Sequence, residues 1–131
     1  MTRAVFITTI ASTIVTVFAA VPGEAYAQSY PEKTIRYVVP FPPGGITDMM
    51  ARTISLKAFD ATKQAIVVDN RPGANALLGA DLVAKSTPDG YTWLAMTITH
   101  TVNATLFPQA AYSFTKDLKA VSVLGSLPMV V

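Results

Sequence analysis

The sequence contains no cysteine and a single histidine, His100. The first absence excludes a disulfide framework, a thiolate metal site and a cysteine nucleophile. The second leaves no set of side chains with metal-ligand spacing, so no metal and no cofactor is expected. Charge is scarce as well, with ten Lys and Arg against eight Asp and Glu in 131 residues. These charges are interspersed, and no basic stripe of the kind a nucleic-acid binder uses is formed. Nucleotide signatures are also missing. Without G-x-G-x-x-G or G-x-x-x-x-G-K-[ST], a dinucleotide fold lacks its glycine spacing and an NTPase its phosphate lysine.

What is present begins with a leader. Arg3 supplies a short positive region, Ala4 to Val21 carry no charge, and Pro22-Gly23-Glu24 breaks the apolar run. Ala25-Tyr26-Ala27 then fits the small-x-small pattern of a signal peptidase, which predicts residues 1–27 as a cleaved signal peptide and a periplasmic chain starting at Gln28. The rival reading is an uncleaved anchor, because the run approaches the roughly 18 residues that span a bilayer. Taking 27 residues from 131 leaves 104, enough for one small domain. The chain stops at Pro128-Met129-Val130-Val131, inside what reads as a strand, so residues 28–131 are expected to be the N-terminal domain of a longer protein.

The mature part is organised around Tyr37-Val38-Val39-Pro40-Phe41-Pro42-Pro43-Gly44-Gly45-Ile46-Thr47-Asp48. A β-branched run breaks at three prolines and two glycines, and a helix-starting pair follows: strand, stiff turn, helix N-terminus. Thr47 is expected as the N-cap, with Asp48 in the first turn, where a negative charge suits the helix dipole. Unpaired amides near Gly44 and Gly45 would then receive a small carboxylate or phosphate. The opposing reading is ordinary turn chemistry that binds nothing.

Coarsely, the pattern predicts strands at 34–39, 65–68 and 91–96, and helices at 47–61 and 75–86. The first helix carries an apolar stripe of Met50, Ile54, Ala58 and Ala61, widened by Ala51 and Phe59. Leu78 and Leu82 set the spacing of the second. The second strand is a continuous apolar run of the kind covered on both faces. The alternation implies a parallel sheet with helices on both sides, and ligands in such sheets lie beyond the carboxyl ends of the strands. Three loops become candidates together: 40–48, 69–75 and 97–103. In the last, Thr97, Thr99, His100, Thr101 and Asn103 offer neutral hydrogen-bond donors before a short helix at 103–106. The plainer alternative has Thr99 or Thr101 capping that helix and His100 on the surface. Arg71 either clamps a carboxylate or pairs with Asp69 or Asp89 to hold its turn, and the structural role is favoured.

Taken in this order, the three loops resemble the Bug-type periplasmic receptors of tripartite tricarboxylate transporters. The residues carrying the resemblance are Val38-Val39-Pro40-Phe41-Pro42-Pro43-Gly44-Gly45-x-Thr47-Asp48, Val67-Val68-Asp69-Asn70-Arg71-Pro72-Gly73-Ala74, Pro88-Asp89-Gly90-Tyr91-Thr92 and Thr99-His100 with Asn103. The resemblance implies an α/β, three-layer periplasmic-binding-protein-like (type II) domain with a mostly parallel sheet, its second domain absent here. It implies a monomeric, non-enzymatic receptor that captures a small organic anion, a di- or tricarboxylate or an acidic amino acid, for membrane permease subunits. The implied contacts come from Phe41, Gly44, Gly45, Thr47 and Asp48 in one loop and Thr97, Thr99, His100, Thr101 and Asn103 in another. One departure is Ala76-Leu77, where the family pattern has a Gly-Asn pair. Two readings of other classes stay open: an exported hydrolase of an organic acid, with His100 beside Thr99 or Thr101, and a membrane-tethered structural domain.

Overall fold

The computed structural model describes residues 30–126; the expected leader with its cleavage site and the expected strand at 128–131 lie outside them. Three parallel strands form the sheet: β1 (Ile35–Val39), β2 (Ile66–Asn70) and β3 (Thr92–Leu94), in the order β2-β1-β3. Ile35 pairs with Ile66 and Val39 with Asn70 on one side of β1, while Arg36 pairs with Thr92 and Val38 with Leu94 on the other. Helix α1 (Ile46–Thr62) links β1 to β2, and α2 (Leu77–Ala84) links β2 to β3. The two crossovers run in opposite directions across the sheet, so right-handed connection places the helices on opposite faces. The result is a three-layer α/β arrangement, as expected from the alternating pattern.

The core is built around β1. Tyr37, Val39, Ala51 and Ala95 are buried together, with Ile66, Val68 and Trp93 packed against them. On the other face Val38 meets α2, whose buried residues are Gly79, Ala80 and Val83. Both helices therefore touch the sheet through smaller side chains than the sequence pattern suggested. In α1 the buried line is Asp48, Ala51 and Ser55, one residue round from the expected Met50 stripe, and Phe59 is 46% exposed. In α2 Leu78 is 55% exposed. Close approach to a flat sheet selects Ala, Ser and Gly at the contact, and the bulky residues flank it.

The second strand also departs from expectation. Among the described residues it lies at the sheet edge with Val67 53% exposed, so only one of its faces is covered by them. It runs on through Asp69 and Asn70, which the sequence pattern places in the following turn. After it, Gly73 (φ 135°) leads into a tight 3-10 turn, Ala74–Ala76, in which Ala74, Asn75 and Ala76 all have positive φ. This left-handed turn delays α2 by two residues from its predicted start. Helix α3 (Ile98–Leu106) begins well before the expected 103–106 helix, so Thr99, His100 and Thr101 are helical, not loop, residues.

Candidate functional site

Because β2 and β3 flank β1 and are reached over opposite faces, the chain reverses its winding between β1 and β3. In open parallel sheets ligands bind at such a point, beyond the carboxyl ends of the strands. Two helix N-termini lead away from it: α1 follows the 40–45 turn after β1, and α3 follows residues 95–97 after β3.

The turn after β1 is shaped by its glycines. Gly44 has φ 85°, and a methyl group built on it would meet no atom within 4 Å. Gly45 would meet only the Pro42 carbonyl oxygen, at 3.8 Å. Among the described residues, the space into which a side chain at either position would project is open. The N-cap of α1 is Gly45, so the expectation that Thr47 caps the helix is corrected: Thr47 lies inside the first turn and is half-buried. Gly45 already has the extended backbone an N-cap needs (φ −77°, ψ 169°), and it brings no side chain to compete for the amides.

The Gly44 amide is not free. It donates to Asp48 Oδ2 at 3.0 Å. Asp48 is 3% exposed, and both its oxygens are occupied: Oδ2 also accepts Arg52 Nε at 2.9 Å, and Oδ1 accepts Arg52 Nη2 at 3.1 Å and Asn70 Nδ2 at 2.9 Å. The guanidinium first, then the Gly44 amide and Asn70, hold its carboxyl well below the usual carboxylate range. Asp48 is thus a saturated anchor under the turn. Its charge is balanced by Arg52, so an arriving anion does not meet an uncompensated carboxylate. The amides of Gly45, Ile46 and Thr47 make no hydrogen bond within the described residues. They are the donors a helix N-terminus leaves unpaired.

The second helix start carries the polar cluster expected at 97–103, in a different arrangement. Thr97 is the N-cap of α3; its N–H donates to His100 Nδ1 at 3.2 Å, and the His100 N–H donates back to the Thr97 carbonyl at 3.1 Å. The same Nδ1 lies 3.3 Å from the Thr97 carbonyl and 3.5 Å from the Thr97 hydroxyl, so the ring is fastened to its own helix cap through Nδ1 in either tautomer. His100 is 0% exposed, which corrects the surface alternative, and burial pushes its pKa down. Its Nε2 is buried with no partner among the described residues. Thr99 is half-buried and Thr101 exposed. Asn103, 1% exposed, donates to the Asn75 carbonyl at 2.7 Å and accepts Asn75 Nδ2 at 2.8 Å.

These contacts draw the three loops together. The Phe41 ring stands edge-on to His100, with centroids 6.3 Å apart, joining the first loop to α3. Asn75 and Asn103 join the left-handed turn to α3. Asn70 joins the end of β2 to the first loop through the Phe41 carbonyl at 3.2 Å and Asp48. Arg71 pairs with Asp69 at 3.0 Å, the structural role favoured for it, and Arg36 Nε adds a second donor to Asp69 at 2.8 Å. Of the expected site residues, Phe41, Asp48, His100 and Asn103 are internal ties; Gly44, Gly45, Thr47, Thr97 and Thr99 lie at the two helix starts; Thr101 stands apart. The sequence reading assigned no role to Asn70, Arg52 or Asn75. The polar pair Asp69-Asn70 closing an apolar run is the signal available for Asn70.

Comparison with known proteins gives one consistent answer. Residues 50–131 match the family model described as tripartite tricarboxylate transporter family receptor. Among curated relatives, Protein BugT of Bordetella pertussis is 40% identical over 122 residues, covering 89% of this chain and 37% of that protein. A protein from the tcbD-tcbE intergenic region of a Pseudomonas species is 40% identical over 102 residues, covering 78% of this chain and 30% of its own length. The chain therefore spans about a third of the curated relatives it matches. Among solved structures, one described as a periplasmic transporter superposes with a TM-score of 0.62 at 40% identity, covering 64% of this chain and 29% of that one. MatC from Rhodopseudomonas palustris with bound malate superposes with a TM-score of 0.60 at 38% identity, covering 67% and 30%.

Proposed function

The chain belongs to the tripartite tricarboxylate transporter receptor family, and on that premise we propose that it supplies one jaw of a periplasmic receptor for a small organic anion. The anion is a di- or tricarboxylate or an acidic amino acid; malate is the ligand in the related MatC structure. Residues 1–27 are the export leader and residues 28–131 the first ligand-binding domain, acting as a monomer that hands its ligand to membrane permease subunits. The observation that carries the reading is the open space before Gly44 and Gly45, into which the unpaired amides of α1 can receive a carboxylate. Thr97 and Thr99 supply neutral contacts from the start of α3. Main-chain and hydroxyl donors hold an acid without a fixed counter-charge, which suits capture followed by release. The hydrolase alternative has little to work with, because His100 is sealed from solvent and spends Nδ1 on its own helix cap.

The test is a titration of the ¹⁵N-labelled chain with malate, succinate, citrate and aspartate. Saturable shifts of the amides at 45–47 and 97–99 are expected, with a Kd of about 1 mM because a single jaw contributes only some 4 kcal/mol. If none of the four acids, raised well above that Kd, moves these amides, the assignment of the two helix starts as the anion donors is wrong.

A further inference from the structure

Asn70 ends β2 with a half-buried carboxamide that acts on both ends of the neighbouring turn. Its Nδ2 donates to the Phe41 carbonyl at 3.2 Å and to Asp48 Oδ1 at 2.9 Å. Asp48 in turn accepts the Gly44 amide at 3.0 Å. The carbonyl at the start of the turn and the amide near its end thus hang on one chain of hydrogen bonds rooted in the sheet. We propose that Asn70 is a positioning residue for the anion site, holding the 41–44 turn in the form that keeps the amides of Gly45, Ile46 and Thr47 unpaired and presented to a ligand. The inference rests on the reading of those amides as the anion donors.

The chemistry singles out a carboxamide. A carboxylate of the same shape accepts but cannot donate. At position 70 it would keep the contact that Arg52 Nη2 makes to the Asn70 oxygen at 3.4 Å, but it would lose both donated bonds and set its charge against the Phe41 carbonyl and the Asp48 carboxylate. The turn carries Pro42 and Pro43, follows Pro40 and has little freedom of its own except at the glycines, so loss of the anchor is expected to move the glycines. Misaligning a donor to a charged carboxylate weakens binding by roughly 10- to 100-fold.

The experiment compares the full wild-type chain with Asn70→Asp by ¹H–¹⁵N spectra and malate titration, at a temperature where both are folded. The amides at 44–47 should shift in the absence of malate, while those of α2 and β3 stay in place. Malate affinity should fall by about tenfold or more. Should the single variant fail to fold, the double variant Asp48→Asn with Asn70→Asp restores a donor–acceptor pair between the two positions. It still leaves the Phe41 carbonyl without a donor, so it should regain a folded spectrum yet bind weakly. Wild-type malate affinity in either variant, or unmoved amides at 44–47, would overturn the proposal. If the wild type itself ignores malate, the assignment of these amides as the anion donors fails and the amide shifts alone decide the role of Asn70.

Discussion

Replacing Gly79 by alanine should destabilise the protein, although alanine is the better helix former. At an open helical position the exchange gains about 1 kcal/mol from propensity. At Gly79 the added Cβ would lie 2.8 Å from Pro40 Cβ and 3.1 Å from both Pro40 Cα and the Arg71 carbonyl oxygen. None of these is the far end of a flexible side chain. Pro40 is a ring locked between β1 and the site turn and is among the largest fully buried side chains. Relief therefore requires α2 to withdraw from the sheet, and forcing a methyl into such packing costs about 1–3 kcal/mol. With three contacts tight at once the upper end applies, leaving a net loss of about 2 kcal/mol. For a domain of this size that corresponds to a fall in Tm of about 10 °C. Urea denaturation of the purified chain measures it directly. Gly44→Ala is the control: the space is open there, and only the positive φ costs, about 1–2 kcal/mol. A Gly79→Ala variant as stable as wild type, or more so, would show that α2 slides off Pro40 at no cost and would refute the packing argument.

Other consequences can be checked with the same equipment. Ala74→Gly, at an exposed position with φ 46°, should stabilise by up to about 1 kcal/mol as left-handed strain is relieved, and a lower urea midpoint would contradict this. Asn103→Ala removes a buried carboxamide that satisfies Asn75 twice, and should cost about 1–3 kcal/mol in equilibrium unfolding. His100 is held neutral by burial, so its folded pKa lies below the unfolded value of about 6.5. The unfolded chain then binds more protons, and the stability His100 contributes is present above pH of about 6.5 and lost as pH falls towards the folded pKa. A His100→Asn variant should show a flatter urea midpoint between about pH 7 and 5; an unchanged slope would assign the effect elsewhere. Asp48 behaves likewise further down: its contribution holds above its ordinary value of 3.8 and disappears in stronger acid.

The sequence made the scaffold legible because its signals there are local. A β-branched run ending in Pro-Phe-Pro-Pro-Gly-Gly stops a strand and starts a helix whatever surrounds it. The alternation of strands and helices then leaves few topologies, and the rule for open parallel sheets points to three loops before any coordinates are known. The same local signals misled where a partner decides. The apolar stripe of α1 runs through Met50 and Ile54, but the sheet accepts the narrower line of Ala51 and Ser55. Thr47 has the right chemistry for a cap, yet Gly45 takes the place.

Residue types and their order along the chain thus determined the class of fold, the end of the sheet at which the three loops gather and the donor-rich character of those loops. Tertiary structure alone decided which of those donors are spent. Asp48 and His100 look like ligand contacts in one dimension, and folding turns both inward, onto Gly44 and Thr97. Asn70, 29 residues from Phe41, becomes the anchor of the turn. The physical reason is that a buried polar group must find a partner at whatever sequence distance the fold provides, and no periodicity encodes which partner that will be.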